Sequence, residues 1–327
     1  MAIIQTALTR LLGLQHPILL APMGSAAGGK LAAAVTNAGG LGMLGSGYAN
    51  EATIQQELTQ AGNARVGIGF ITWALDKNPA ALDVALDARP VAIMLSFGDP
   101  SPYTARIKSA GCKIICQVQT LDQAKQAAAA GADVIIAQGR DAGGHSGTMR
   151  GTIGLVPAVV DAVGSIPVVA AGGIADGRGL AAALSLGAAG VSMGTRFTAT
   201  RESLWDEAMK ERAVASGGDQ TAQTRVFDIV RGAAWPAIYP GRALRNAFFE
   251  RWHGREGELE GQQKQIEPEY LASAADDFGQ RVVWAGESVD LVRDIPSARD
   301  LIERIVDQAA AVLRGGAGLV ATAEPRS

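Results

Sequence analysis

Across 327 residues the chain carries 29 Lys and Arg against 32 Asp and Glu, a net charge of -3, and nowhere interleaves a basic run with aromatics. Nucleic acid and acidic membrane surfaces therefore find no support as partners. The 41 glycines, with no low-complexity tract beside them, exclude a disordered or fibrous chain and point to a compact α/β enzyme with a small-molecule ligand. No basic leader runs into an apolar stretch and no run of about 18 apolar residues occurs, so a cytoplasmic protein without a membrane segment is expected.

Apolar, strand-like runs recur at 18–20, 41–44, 66–70, 91–95, 113–117, 134–138, 167–171 and 190–193. Segments of helical periodicity separate them, at 31–37, 54–60, 80–87, 104–110, 121–130, 155–163 and 179–186. Such alternation gives a parallel sheet with right-handed crossovers, and eight units fit a closed (β/α)8 TIM barrel better than an open sheet. After Phe197 the rhythm breaks. Residues 199–284 are richer in charge, hold Trp205, Trp235, Tyr239, Trp252 and Tyr270, and read as helical, so a helical insertion is expected between the eighth strand and the last barrel helix. That helix, 297–314, sets Leu301, Ile302, Ile305, Val306, Ala309 and Leu313 on one face. The expected organisation is a barrel over 1–198 and 285–320, with 199–284 over its mouth as a lid, a substrate wall, or a structural or homodimer element.

The loops after the runs carry the chemistry. Ala21-Pro22-Met23-Gly24 follows the first run and Gly69 lies in the third; both can line a flat ring. Gln117 and Gln138 end the fifth and sixth runs and offer side-chain amides to the same mouth. After the sixth run, Gly139, Gly143, Gly144 and Gly147 let the main chain approach a flat ligand closely, and His145 is the side chain there suited to proton exchange near neutrality. His16 precedes the first run, on the stability face of a barrel, and His253 lies in the charged insertion, so both are poorer candidates. Gly172 and Gly173 after the seventh run, and Gly194 and Thr195 after the eighth, expose backbone amides where barrels bind phosphate, with a helix N-terminus and the Thr195 hydroxyl adding donors. Cys112 and Cys116 have no second Cys or His cluster and read as small core residues, so no metal is expected. Together these features describe a phosphorylated planar cofactor with a polyol chain. FMN fits that description, and a flavin-free barrel acting on phosphorylated metabolites stays open beside it.

Four segments occur together in order: His16-Pro17-Ile18 with Ala21-Pro22-Met23, then Ala142-Gly143-Gly144-His145, Ala171-Gly172-Gly173-Ile174 with Asp176-Gly177, and Met193-Gly194-Thr195-Arg196-Phe197. On these the chain resembles the nitronate monooxygenase family, formerly called 2-nitropropane dioxygenases, over residues 1 to 320. The resemblance implies an FMN-dependent TIM barrel that oxidises a nitronate or nitroalkane with O2 to a carbonyl compound and nitrite. It implies that His145 lies over the flavin ring as the catalytic residue. It places Pro22, Met23 and Gly24 on the isoalloxazine, Gln117 and Gln138 at its polar edge or ribityl chain, and Gly172, Gly173, Gly194 and Thr195 at the phosphate. Two positions depart from the family pattern: Gly69 stands where many members have asparagine, and Asp141 where glutamate is usual. The same motifs mark NAD(P)H-dependent reductases of quinones and of enoyl thioesters, which is the alternative activity.

Overall fold

The computed structural model describes residues 2–317; Met1 and positions 318–320 of the expected barrel segment lie outside them. Eight parallel strands form the barrel: β1 (Ile18–Leu20), β2 (Met43–Gly45), β3 (Gly67–Ile71), β4 (Ala92–Ser96), β5 (Lys113–Val118), β6 (Val134–Gln138), β8 (Val168–Ala171) and β9 (Gly190–Met193). They pair in the order β1-β9-β8-β6-β5-β4-β3-β2. A parallel bridge between Leu19 and Leu41 joins the two ends, so no strand edge is left open.

Side-chain alternation sorts each strand into two cores. Leu19, Met94, Ile115, Ile136 and Val169 fill the barrel interior. Their neighbours Ile18, Leu20, Ile93, Leu95, Ile114, Ile135 and Val168 pack outward under the helices. Because both faces are buried, the strands read as continuous apolar runs. An N-terminal helix, Ala7–Leu12, begins at a capping box between Thr6 and Thr9 and sends Leu8 and Leu12 into the interior cluster, which closes the bottom of the barrel.

The last helix, Ala298–Ala317, packs between helices Gly177–Ser185 and Gly29–Asn37 and so completes the ring of eight. Its approach to the former is close: a Cβ on Gly177 would lie 2.4 Å from the Ile305 carbonyl oxygen.

The helical expectation for 199–284 is incomplete. That stretch holds helices Glu207–Val214, Val226–Val230, Ala247–Trp252 and Glu256–Ala272, but it also supplies β10 (Thr221–Thr224) and β11 (Gly241–Leu244). β11 pairs antiparallel with β10 on one side and, on the other, with β7 (Gly144–His145), a two-residue strand from the barrel loop. Four-residue strands with no alternating pattern of their own owe their existence to such partners, which no local signal announces.

Candidate active site

The C-terminal ends of the barrel strands open into a cavity of about 990 Å³. Ala21, Pro22, Met23 and Gly24 line it from the end of β1, Gly69 from β3, Gln117 and Gln138 from β5 and β6, and Gly143, Gly144 and His145 from β7 and the turn before it. Gly172 and Gly173 follow from β8, and Gly194 and Thr195 from β9. The insertion contributes Trp205, Arg231, Trp235 and Trp284. Such a volume stands at the upper end of the roughly 300–1,000 Å³ of small-molecule sites.

One wall rests on an exact fit between β1 and β3. A Cβ on Gly69 would lie 2.4 Å from both Cβ and Cγ of Pro22, so the proline occupies the space that any side chain at 69 would need.

At the opposite wall, Gly172 and Gly173 have left-handed backbones, with φ of 102° and 68°, which glycine adopts without strain. The amides of Gly172, Gly173, Gly194 and Thr195 donate to no acceptor among the described residues. Thr195 Oγ1 accepts from Gly286 N at 3.0 Å and keeps its own proton free to donate. Gly194 caps and Thr195 opens the short helix Thr195–Thr198, but the helix end after β8 does not join them. Asp176 already takes the amides of Arg178 and Gly179 at 2.9 and 3.3 Å, and Gln308 takes that of Gly177 at 2.8 Å, so this helix end is satisfied by the protein. Asp141 accepts from Thr152 N at 2.7 Å and ties the loop to the next helix.

Gln138 is also committed internally. Its Oε1 accepts from Gln117 Nε2 at 3.1 Å and Gln119 Nε2 at 2.8 Å, while its Nε2 donates to the His145 carbonyl at 3.1 Å. Its amide thus holds the histidine loop while the residue lines the cavity. Gln117 retains an unengaged Oε1 among the described residues.

His145 is held at Nε2 and packed by two indoles. Its Nε2 lies 3.0 Å from Asp228 Oδ2, and the two side chains are 11% and 5% exposed. Trp235 stacks on the imidazole with centroids 3.5 Å apart and planes within 5°, and Trp284 leans against it at 5.2 Å. Gly241, the β11 partner of His145, makes room for Trp284, since a Cβ there would lie 2.2 Å from the indole. Trp235 reaches across the mouth to donate its indole N–H to the Tyr48 hydroxyl at 3.1 Å and meets Trp73 and Phe97 edge-on. Tyr239 packs edge-on to Phe97 and accepts from Gln123 Nε2 at 2.9 Å, and burial pushes its phenol up.

Sequence reasoning missed Asp228, Arg231 and Trp284. One signal was present: an acid inside the apolar stretch Val226-Phe227-Asp228-Ile229-Val230, where an unpaired carboxylate is rarely buried. Among the described residues no helix is long and apolar enough to cross a membrane, and no His, Cys, Asp and Glu cluster could hold a metal. Cys112 and Cys116 are buried, as core residues should be.

A family model described as nitronate monooxygenase matches residues 5–67 and 71–308. A Rhodococcus jostii (strain RHA1) protein named (3aS,4S,5R,7aS)-5-hydroxy-7a-methyl-1-oxo-octahydro-1H-indene-4-carboxyl-CoA dehydrogenase is 39% identical over 70% of this chain. The match spans 65% of that relative's own length. Nitronate monooxygenase npaC of Metarhizium robertsii is 35% identical over 90% of this chain and 91% of its own. The solved structure of FabK from Thermotoga maritima superposes with a TM-score of 0.85 at 33% identity, covering 97% of this chain and 100% of that one. On the family match across nearly the whole barrel and on these likenesses, the chain belongs to the nitronate monooxygenase family of oxidoreductases.

Proposed function

We propose that the chain binds FMN in the cavity at the barrel mouth and oxidises alkyl nitronates with O2 to a carbonyl compound and nitrite. The observation that carries the reading is the convergence of His145 and four unengaged amides on one cavity. The residues fit the cofactor. The amides of Gly172, Gly173, Gly194 and Thr195, with the Thr195 hydroxyl, suit a phosphate, and the Pro22 ring seated against Gly69 offers a flat apolar wall for a ring. Bound there, FMN would supply the electron acceptor for the substrate and the route to O2, chemistry that no side chain has.

His145 does the work that belongs to the chain itself. As imidazolium it holds the nitronate oxygens, and as neutral imidazole it takes the α-proton of a nitroalkane. The Trp235 and Trp284 indoles keep water from its faces, which gives the segment 199–284 the role of a substrate wall.

Reconstitution with FMN followed by a nitrite assay on propionate 3-nitronate in air tests the reading. One FMN per chain and nitrite release support it; failure to take up FMN refutes it. The likeness to a CoA-thioester dehydrogenase favours a second reading, in which the same site reduces an enoyl thioester with NAD(P)H or, in the reverse direction, oxidises an acyl thioester with NAD(P)+. Anaerobic bleaching of the bound flavin by NADH, with no nitrite formed from nitronate, selects that alternative.

A further inference from the structure

We propose that Asp228 is the positioning residue of this site: it commits His145 Nε2 and leaves Nδ1 as the atom that exchanges a proton with substrate. The inference rests on the reading above for the identity of the substrate, but not for the state of the ring.

Asp228 sits in helix Val226–Val230, between Phe227 and Ile229, almost entirely buried. A carboxylate there is tolerated only when its oxygens are occupied. Both are: Oδ2 by His145 Nε2 at 3.0 Å, and Oδ1 by Arg231 Nη2 at 3.0 Å. Arg231 is pinned in turn, its Nε donating to the Phe227 carbonyl at 2.7 Å.

An ionised carboxylate only accepts, so the hydrogen on the shared bond belongs to Nε2. A neutral imidazole has one donor and one acceptor nitrogen, and the lone pair therefore lies on Nδ1. That atom has no hydrogen-bond partner among the described residues and is not among the buried unpartnered atoms, while His145 lines the cavity. The ring cannot turn over to exchange its nitrogens without displacing Trp235 and Trp284. In the nitroalkane reaction the α C–H bond breaks, the proton passes to Nδ1, and the electron pair stays on the substrate as the nitronate. The positive charge that appears on the ring is met by Asp228 on its far side, as in other carboxylate–histidine pairs. The insertion thus supplies half of the proton-transfer apparatus to a loop 83 positions away in sequence.

The experiment is ¹⁵N spectroscopy of the histidine rings in the FMN-loaded protein, with His145→Ala to assign the signal, alongside turnover of nitroethane. The neutral ring should show Nε2 protonated in the parent. Asp228→Asn, which can present an N–H to Nε2, should invert the tautomer and slow nitroethane turnover by about 10²- to 10⁴-fold, with the preformed nitronate affected less. Asp228→Glu should recover the parental tautomer and part of the rate. In the His145→Ala background, Asp228→Asn should cost nothing more, because the two act as a unit.

A parent ring protonated on Nδ1 overturns the proposal without any variant. So does an equal further loss of rate in the His145→Ala background, which would mark Asp228 as merely structural. If the parent turns over neither nitroethane nor nitronates, the substrate reading fails by itself, and the tautomer still decides the role of Asp228.

Discussion

Replacing Gly69 by alanine adds one methyl group where the structure has none to spare. The new Cβ would stand 2.4 Å from two ring carbons of Pro22, whereas carbon atoms in contact keep about 3.5–4.0 Å, so the wall must part by more than about 1 Å. Neither partner yields easily, since Gly69 is in the middle of β3 and Pro22 belongs to a rigid ring at the end of β1. Overpacking of this kind costs about 1–3 kcal/mol. If the strain stays in the protein it appears as a lowered melting temperature. If the Pro22-Met23-Gly24 turn moves instead, the same energy appears as FMN affinity weakened by about 5- to 150-fold. Thermal unfolding of the apoprotein and fluorescence titration with FMN read the two shares separately. Unchanged values in both assays would show that the contact between β1 and β3 is not as close as described and that the steric account of Gly69 is wrong.

His145→Ala should keep FMN but lower turnover by about 10²- to 10⁴-fold, more for a neutral nitroalkane than for its nitronate; equal and small losses on both would remove His145 from the chemistry. Gly194→Val makes the opposite test to Gly69. A Cβ there meets nothing nearer than the flexible Met23 Sδ at 3.3 Å, so the apoprotein should melt as the parent does while FMN binding weakens, and unaltered affinity would place the phosphate elsewhere. Trp235→Ala removes the stack on His145 and two edge contacts, each worth about 0.5–1.5 kcal/mol, and should raise the KM for nitronate by roughly tenfold with FMN affinity retained; loss of flavin instead would make the indole a cofactor support. Burial, with Asp133 adding to it, pushes the Cys116 thiol up to about 12. The native protein should therefore resist iodoacetamide at pH 8, while above pH 9 its stability should fall, as the unfolded thiol gives up a proton that the folded one keeps; rapid labelling at pH 8 would contradict this.

The barrel was legible because its determinants are local and repeated. β1, β6 and β9 begin and end where the apolar runs 18–20, 134–138 and 190–193 do, and the other strands lie within two residues of theirs, since a strand buried on both faces must be apolar throughout. The residues of the cavity were legible for a related reason: in a barrel, position along the chain determines which strand end a loop leaves, so glycines after successive runs must meet at one mouth.

What lay beyond the sequence depends on partners distant along the chain. Nothing in Thr221-Ala222-Gln223-Thr224 or Gly241-Arg242-Ala243-Leu244 marks a strand; pairing with each other and with the His145 loop makes them so. Nothing in the sequence announced that Gln138, besides lining the mouth, is hydrogen-bonded to Gln117, Gln119 and the His145 carbonyl. The amides that open helix Gly177–Ser185 were likewise claimed by Asp176 and by Gln308, the latter 131 positions away. Sequence alone determined the barrel, the mouth and the histidine, because periodicity and loop order are properties of short segments. Only the tertiary structure decided which polar groups remain available there, because a hydrogen bond is used up by whichever partner the fold brings to it.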